Sequence, residues 1–314
     1  MPEEMTERLR SEVIEAFHRK DFTTPVIGIT GGKGGVGKTT VSINLACALA
    51  DRGLRVALVD ADVDAPNAAI LLSMPLKNPL EVNITMPLID AERCNFCGDC
   101  IRACRLNALF MPRGKPPLLL GECNGCEACL LICKVVAIYR GRKPIGSTFL
   151  SQMDNLSLFT GALIPGLEES SPVVVAVKER AFAAADQFDI ILVDTSPGAH
   201  CNVINALKGA DEVIAVTEPT PLGAHDLDLI LRLLDLLELG GSVMLNRADL
   251  PGNKEEISAI AHKHNRVMAP EISMDHMLAM SYAAGVSVVR QYPKAASSKV
   301  FHRMAEEIAT EYGL

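Results

Sequence analysis

Eight cysteines in the middle of the chain form two short runs whose spacing is suited to metal ligation. The first run, CNFCGDCIRAC, extends from Cys94 to Cys104, and the second, CNGCEACLLIC, from Cys123 to Cys133. The second run follows the first at a constant offset of 123 − 94 = 29 residues, and neighbouring residues such as Asn95 and Asn124 repeat with it. The two runs therefore indicate an internal duplication that builds two similar metal sites.

The kind of metal site follows from the expected redox environment and from the spacing. The amino terminus, MPEEMTERLRSEVIEAFHRK, is too charged for an export signal, so the ten cysteines are expected in a cytoplasm that keeps thiols reduced. Structural zinc sites use two separated pairs of cysteines, whereas three thiols in close succession suit the corners of a cubane cluster. The runs therefore favour two [4Fe–4S] clusters, with zinc as the alternative.

A glycine-rich stretch near the amino terminus, GGKGGVGKTT, meets the G-x-x-x-x-G-K-[ST] pattern of a phosphate-binding loop. It lies between an apolar strand and a helix, so its backbone N–H groups and the positive helix terminus can converge on phosphate oxygens. We expect Lys38 to reach the β- and γ-phosphates of ATP and the Thr39 hydroxyl to ligate Mg²⁺. The residues predicted to surround the phosphates are Gly32, Lys33, Gly34, Gly35, Val36, Gly37, Lys38, Thr39 and Thr40.

Two further stretches end apolar strands in carboxylates, which can hold Mg²⁺ and orient water beside bound phosphates. LVDADVDAPN supplies Asp60, Asp62 and Asp64, and IILVDTSPG supplies Asp194. Gly198, in the loop after Asp194, would let that loop move when the γ-phosphate is lost. We expect Asp62 and Asp194 to act on Mg²⁺ directly or through water.

Alternating strands and helices predict an α/β fold with a mostly parallel sheet flanked by helices. The runs PVIGITG, RVALVDAD, DIILVDT, EVIAVTE and GSVMLN are predicted strands, and PVVVAVK is predicted as another. The segment 75–145 differs in character, since it holds eight of the ten cysteines and many prolines. The sequence therefore predicts an ATPase domain in two parts, 1–74 and 146–314, with an inserted α+β domain at 75–145.

The composition argues against several kinds of partner. The 314 residues carry a formal net charge of −8, with no Trp and four Tyr, so neither a basic surface nor aromatic stacking favours a nucleic acid. The carboxyl-terminal stretch SSKVFHRMAEEIATEYGL places Glu306, Glu307 and Glu311 among its apolar positions, and an anionic membrane would repel them. We therefore expect a cytoplasmic protein without nucleic acid and without stable membrane association.

The phosphate-binding loop, its extra lysine and the two carboxylate strands resemble the MinD/ParA-like ATPases with a deviant Walker A motif, a family that is related to the nitrogenase iron protein and to iron–sulfur cluster carriers. The resemblance covers nearly the whole chain. It implies that Lys33 reaches across an ATP-dependent homodimer, and that Asp62 activates water as the switch I aspartate. It also implies an adenine pocket at Asn246, Pro270 and Glu271. The implied catalytic residues of ATP hydrolysis are Lys33, Lys38 and Asp62.

The cysteine spacing C-x₂-C-x₂-C-x₃-C resembles that of bacterial two-cluster ferredoxins, in which each cluster takes three cysteines from one run and the fourth from the other. The ferredoxin run normally ends in C-P, whereas Arg105 and Lys134 follow the fourth cysteines here. A cation at that place would raise the potential of a nearby cluster. The resemblance implies cluster I on Cys94, Cys97, Cys100 and Cys133, and cluster II on Cys123, Cys126, Cys129 and Cys104.

The remaining two cysteines lie outside these runs. Cys47 sits in the apolar helix INLACALA and is expected in the core. Cys201 follows the second carboxylate strand, beside His200. Burial and a role near the dimer axis are both open for Cys201.

An ATPase domain interrupted by a ferredoxin-like insert is similar to the ORP-complex ATPases of anaerobes. The resemblance implies an iron–sulfur ATPase that couples its nucleotide state to two clusters, in metallocofactor or iron–sulfur cluster assembly or insertion into a client metalloprotein. ATP-gated electron delivery to a redox partner is the first alternative. A MinD/ParA-like positioning ATPase is the second.

Overall fold

The computed structural model describes residues 3–314, with side chains from Arg10 onwards, and a nine-stranded sheet lies at its centre. The strands are β1 Val26–Thr30, β2 Val56–Asp60, β3 Leu80–Ile89, β4 Leu109–Phe110, β5 Leu118–Leu119, β6 Ile138–Met153, β7 Leu156–Leu163, β8 Ile190–Asp194, β9 Glu212–Thr217, β10 Gly240–Leu245 and β11 Val267–Met268. Their order in the large sheet is β11-β10-β9-β1-β8-β2-β7-β6-β3. The seven strands from β11 to β7 are parallel, and β6 is antiparallel to both of its neighbours. The carboxyl ends of β1, β2 and β8 therefore meet at one edge, where α/β sheets bind ligands.

Helices cover both faces of this sheet because the central strands are apolar on both sides. In β8, Ile191 and Val193 enter one hydrophobic core, while Ile190 and Leu192 enter the other. The helices are α1 Glu3–His18, α2 Lys38–Asp51, α3 Ala68–Leu71, α4 Asp99–Ala103, α5 Ala128–Ile132, α6 Ser171–Phe182, α7 Cys201–Leu207, α8 Pro221–Leu236, α9 Lys254–Lys263, α10 His276–Ala284, α11 Val288–Gln291 and α12 Ala296–Tyr312. The α/β fold with a mostly parallel sheet is confirmed.

The cysteine-rich segment extends the sheet through an antiparallel ribbon of β3 and β6. Beyond the ribbon lie the short helices α4 and α5 and the small sheet of β4 and β5. Cys100, Leu109, Cys129 and Ile138 form a separate small core there. The predicted insert boundary at residue 145 falls within β6, which continues without a break into the large sheet.

The prediction of a strand at PVVVAVK was wrong, since this stretch forms the first turns of α6. Its buried apolar positions are Val173, Val174, Val177 and Ala181, which share one face of a helix. Pro172 lies in the first turn, where its missing N–H costs nothing. The strand that pairs with β2 is instead β7, which the sequence analysis did not identify.

Both terminal helices pack on the domain. In α12, Phe301 and Met304 are buried in the core that α2 also lines, so the apolar side of this helix is covered. In α1, Phe17 is buried in the other core, and the His18 ring Nε2 lies 2.8 Å from the Leu237 carbonyl. No helix within residues 3–314 is long and apolar enough to cross a membrane.

Candidate nucleotide site and cysteine cavities

The glycine-rich loop turns from β1 into α2 through residues with a left-handed backbone. Gly35 has φ +81° and Gly37, at the amino-terminal cap of α2, has φ +98°. The Asn246 side-chain amide donates to the Val36 carbonyl at 2.7 Å. A Cβ atom on Gly37 would lie only 2.3 Å from that amide nitrogen. The loop shape therefore depends on glycine at position 37 and on Asn246, which the sequence placed in the adenine pocket.

Lys38 lies inside this loop rather than in solvent. Its Nζ donates to the Lys33 carbonyl at 3.1 Å, and the residue is buried. Burial lowers the pKa of Lys38, while the nearby Asp194 and Asp62 raise it. An ammonium in this position can exchange its backbone contact for phosphate oxygens.

Asp194, at the end of β8, is fully buried and incompletely hydrogen-bonded. Its Oδ1 accepts from the Ser42 hydroxyl at 2.9 Å, and Thr39 also contacts the carboxylate, whereas Oδ2 has no hydrogen-bond partner. Burial raises the pKa of Asp194 to about 6, against the opposing effect of Thr39, Ser42 and Lys38. A buried carboxylate oxygen without a partner beside a Thr hydroxyl is a donor set that fits Mg²⁺ or its bound water.

The three aspartates after β2 have different environments. Asp60 is buried and accepts from the backbone N–H groups of Asp62 and Ala68 at 3.3 and 3.0 Å, which fixes the loop between them. Asp62 is half-buried and lines the cavity beside the glycine-rich loop. Burial raises the pKa of Asp62, and Lys38 lowers it. Asp64 is exposed, so Asp62 is the carboxylate of the three that faces the cavity.

Lys33 is held within its own chain. Its Nζ donates to Glu218 Oε1 at 2.5 Å, and Arg247 donates to the other carboxylate oxygen at 3.2 Å. The Glu218 side chain is only 8% exposed. Glu218 follows β9 without a recognisable motif, so its role was not predictable from the sequence.

The cavity beside the loop has a volume of about 770 Å³, ample for a nucleotide. Of the three residues expected in an adenine pocket, Asn246 lines the cavity, whereas Pro270 and Glu271 do not. Glu271 instead forms an ion pair with Lys254 at 2.9 Å. Residues slightly further along the chain line the cavity instead, namely Ser273, Met274, Asp275, His276, Leu278, Ala279 and Tyr282.

Each set of four cysteines that the ferredoxin spacing predicts lines its own cavity. One cavity is lined by Cys104 together with the first three cysteines of the second run, and the other by Cys133 together with the first three of the first run. The first of these cavities has a volume of about 440 Å³, whereas the second is narrow, about 20 Å³. The second set would therefore have to open to take up a cluster.

The eight thiols of the two runs differ in their hydrogen bonds and burial, with Cys100 and Cys129 buried and Cys97 and Cys126 exposed. The backbone N–H groups of Ala108 and Ala137 donate to the sulfurs of Cys104 and Cys133 at 3.3 and 3.2 Å. Burial, with the neighbouring thiols, raises the pKa of Cys129 to about 11. Within the described residues, no three or more His, Cys, Asp or Glu side chains converge closely enough to hold a metal ion. The thiols of each set therefore do not converge on the position of a single metal ion. Only a larger group, such as a cubane cluster, could contact all four thiols of a set.

The two cysteines outside the runs differ in exposure. Cys47 is fully buried in α2, as expected for a core residue, and burial raises its pKa. Cys201 is exposed at the start of α7, so the expectation of burial does not apply to it. Gly198, in the loop before it, has φ +95°.

We expect Gly37→Ala to lower ATP affinity about tenfold or more, because the new Cβ would displace the Asn246 amide and the backbone would be strained. The matched control is Gly53→Ala, which has nearly the same φ of +95° but no atom within 4 Å. That variant should lose about 1 kcal/mol of stability and keep its affinity. Titration with a fluorescent nucleotide and thermal unfolding would measure both. Equal loss of affinity in the two variants would contradict the role of the Asn246 contact.

The sequence is similar to a known family of nucleotide-binding domains and to several known proteins. Residues 27–288 match the CobQ/CobB/MinD/ParA nucleotide binding domain. An uncharacterized protein of Methanocaldococcus jannaschii is 32% identical over 223 residues, which are 71% of this chain and 80% of that protein. Antiactivator FleN of Pseudomonas aeruginosa is 29% identical over 210 residues, 67% of this chain and 56% of FleN.

A solved structure shares the fold. The septum site-determining protein MinD of Pyrococcus horikoshii, complexed with Mg-ADP, has a TM-score of 0.59 and 20% identity, covering 91% of this chain and 96% of that one. At this identity the likeness speaks for the fold alone. With the matched domain spanning most of the sequence, this chain belongs to the CobQ/CobB/MinD/ParA nucleotide-binding family.

Proposed function

We propose that the protein hydrolyses ATP at the glycine-rich loop, in a homodimer that forms when ATP binds. Lys38 and Asp62 line one cavity and the buried Asp194 lies close to both, which supports this, as does membership of a nucleotide-binding family. Lys38 binds the phosphates, and Thr39 and Asp194 hold Mg²⁺, which neutralises phosphate charge when bound. Asp62, half-buried at the cavity wall, orients the attacking water.

Lys33 supplies the dimer dependence in this proposal. In the single chain its ammonium is bound to Glu218, so it must leave that carboxylate before it can reach a nucleotide in a second subunit. Glu218 keeps Arg247 as a cation partner, which limits the cost of that release. Because the new partner of Lys33 would be a phosphate, the exchange occurs only when ATP and a second subunit are present.

We expect Lys33→Ala to lower ATP turnover by roughly 10³-fold, the range of a cation supplied in trans to the γ-phosphate, while ATP binding to the monomer stays near normal. Glu218→Gln should increase ATP-dependent dimerisation, because it weakens the competing ion pair. Lys38→Ala serves as the contrast, since it should weaken nucleotide binding itself. Light scattering with and without ATP, together with phosphate release, measures these effects. Unchanged turnover in Lys33→Ala would leave that lysine without a role.

We further propose that the insert binds two [4Fe–4S] clusters, which carry single electrons when bound. The observation that supports this most is that each cavity gathers the crossed set of four cysteines, three from one run and one from the other. The Ala108 and Ala137 N–H groups, which point at the fourth sulfur of each set, would stabilise bound thiolates. Coupling of these clusters to ATP in metallocofactor assembly is one form of this proposal, and ATP-gated electron delivery is its alternative.

Anaerobically purified protein should contain about eight iron and eight sulfide per chain, the content of two cubane clusters. Cys97→Ser should lose about half of the iron and keep ATP binding, because Cys97 lies in the insert. The matched control is Cys201→Ser, which changes an exposed cysteine outside the insert and should keep all of the iron. Iron, sulfide and zinc analysis provides the measurement, and stoichiometric zinc without sulfide would overturn the cluster proposal.

A second candidate function, a MinD/ParA-like positioning ATPase, is favoured by the comparisons over metallocofactor assembly. Two named relatives are FleN and the MinD proteins, including a Synechocystis MinD at 28% identity over 71% of this chain. In this reading the ATP-dependent dimer acts on a partner protein or surface, and the insert recognises it. Such a role does not require the clusters to change redox state.

Sedimentation with anionic liposomes would separate the two candidates. We expect no ATP-dependent binding, since the apolar side of α12 is covered by the core and its exposed side carries carboxylates such as Glu306. Arg303, which pairs with Glu307 on the exposed side, offers a control: Arg303→Glu should leave the result unchanged. Robust ATP-dependent sedimentation of the unaltered protein would favour the positioning function.

A further inference from the structure

The insert carries the opposite charge to the rest of the molecule. Residues 75–145 contain ten Lys or Arg against six Asp or Glu, a formal net charge of +4, in a chain whose net charge is −8. The remaining residues therefore carry −12. An anionic partner would therefore be attracted by the insert and repelled by the rest of the chain. Electrostatic steering would direct such a partner to the insert.

Part of this positive charge is unpaired. Four of the ten cations form ion pairs with carboxylates of the insert, which are Arg93–Asp90, Arg102–Asp99, Arg140–Glu127 and Lys143–Glu122. The other six are exposed and make no ion pair with any carboxylate described in the structure, namely Lys77, Arg105, Arg113, Lys115, Lys134 and Arg142. Free cations in solvent act on approaching partners rather than on the fold.

Two of the unpaired cations stand at the rims of the cysteine cavities, each beside exposed aliphatic side chains. Arg105 and Leu106 follow Cys104 and line the larger cavity, and Leu106 is 52% exposed. Lys134 follows Cys133 in the same way, and the next two residues, 135 and 136, are exposed valines. An apolar contact edged by charge is the usual composition of a protein-binding surface.

We propose that these two rims, defined as Cys104–Leu106 and Cys133–Val136, are the docking surface for an acidic protein that approaches the cavities directly. Bound clusters with their thiolates are anionic and would offset the formal net charge of the insert, but their charge would lie inside the cavities, whereas Arg105 and Lys134 are exposed beside them. A nucleic acid fits less well, since the insert offers only Phe and Tyr side chains in small number and the ATPase domain repels polyanions.

Electron exchange between the partner and the cavities rests on the proposed clusters. Docking of the partner does not. The test therefore measures both. Flavodoxin, a small acidic electron carrier, is the probe, and cytochrome c, which is basic, is the comparison. Association is followed by surface plasmon resonance and by carbodiimide cross-linking, which joins lysine amines to carboxylates, and electron exchange by stopped-flow absorbance of the holoprotein.

We expect flavodoxin to associate faster than cytochrome c, with a rate that falls as ionic strength rises. The double variant Arg105→Glu, Lys134→Glu should slow association about tenfold at low salt. The matched control is Lys294→Glu, Lys299→Glu, which makes the same charge change at exposed positions of the ATPase domain and should have little effect. Cross-links should map to Lys134 in the unaltered protein.

Several results would overturn the proposal. The proposal fails if flavodoxin and cytochrome c associate at equal rates, if the rim variant binds flavodoxin at an unchanged rate, or if the control variant slows association as much as the rim variant does. It also fails if anionic vesicles compete with flavodoxin for the protein, or if the protein associates with itself in a salt-sensitive way that the rim variant abolishes. If the rim variant loses iron, the association rate of flavodoxin with the unaltered protein at increasing ionic strength tests the same charge dependence without a substitution. If the protein binds flavodoxin but contains no iron, the cluster proposal is refuted and the docking surface stands. If it contains iron but does not bind flavodoxin, the docking surface is refuted and the clusters stand.

Discussion

Two carboxylates buried at the ends of neighbouring strands set the electrostatic constraint on which the nucleotide site depends. Asp60 and Asp194 are register partners on β2 and β8, and both are shielded from water. Burial raises the pKa of both, and the charge of Asp194 raises that of Asp60 further. Lys38 compensates only in part, because it is buried and also contacts the loop backbone. A ligand that brings Mg²⁺ supplies the missing positive charge, so nucleotide binding and ionisation of these aspartates are linked.

The cysteine-rich insert leaves this edge intact because it enters and leaves through one ribbon. The pairing of β3 with β6 runs from Leu80 opposite Thr148 to Ile89 opposite Ile138, so the two ends of the insert lie side by side. An insertion whose ends already meet adds little loop-closure entropy to folding. In the sheet order the ribbon is the outermost pair of strands, separated from β1 by β8, β2 and β7. Coupling between the cysteine cavities and the phosphate-binding loop would therefore have to pass through the sheet or the helices on it.

The parts of this architecture that are predictable from sequence are those whose conformation is determined by the residues of one short stretch. The glycine-rich loop is such a stretch, because its backbone needs glycine at Gly37 and its helix begins at once. The assignment of PVVVAVK to a strand failed because a run of β-branched residues satisfies both periodicities over seven positions, and only the following residues reveal the helical face of α6. The contacts of Lys33 with Glu218, and the cavity residues after Glu271, were not predictable, since they depend on which strands become neighbours.

One buried lysine, Lys178, connects the helix that packs on the insert's strands with the helix that follows the Gly198 loop. Lys178 on α6 donates from Nζ to the carbonyls of Asn205 and Lys208 at the end of α7, the helix that begins directly after the Gly198 loop. Burial lowers the pKa of Lys178 to about 7, yet two carbonyl acceptors at a helix carboxyl terminus favour the ammonium. Helix α6 in turn packs on β3, β6 and β7. Lys178 therefore joins α7 to the helix that packs on the strands carrying the insert, and under the proposed function a movement of α7 on loss of the γ-phosphate would reach the insert through this contact.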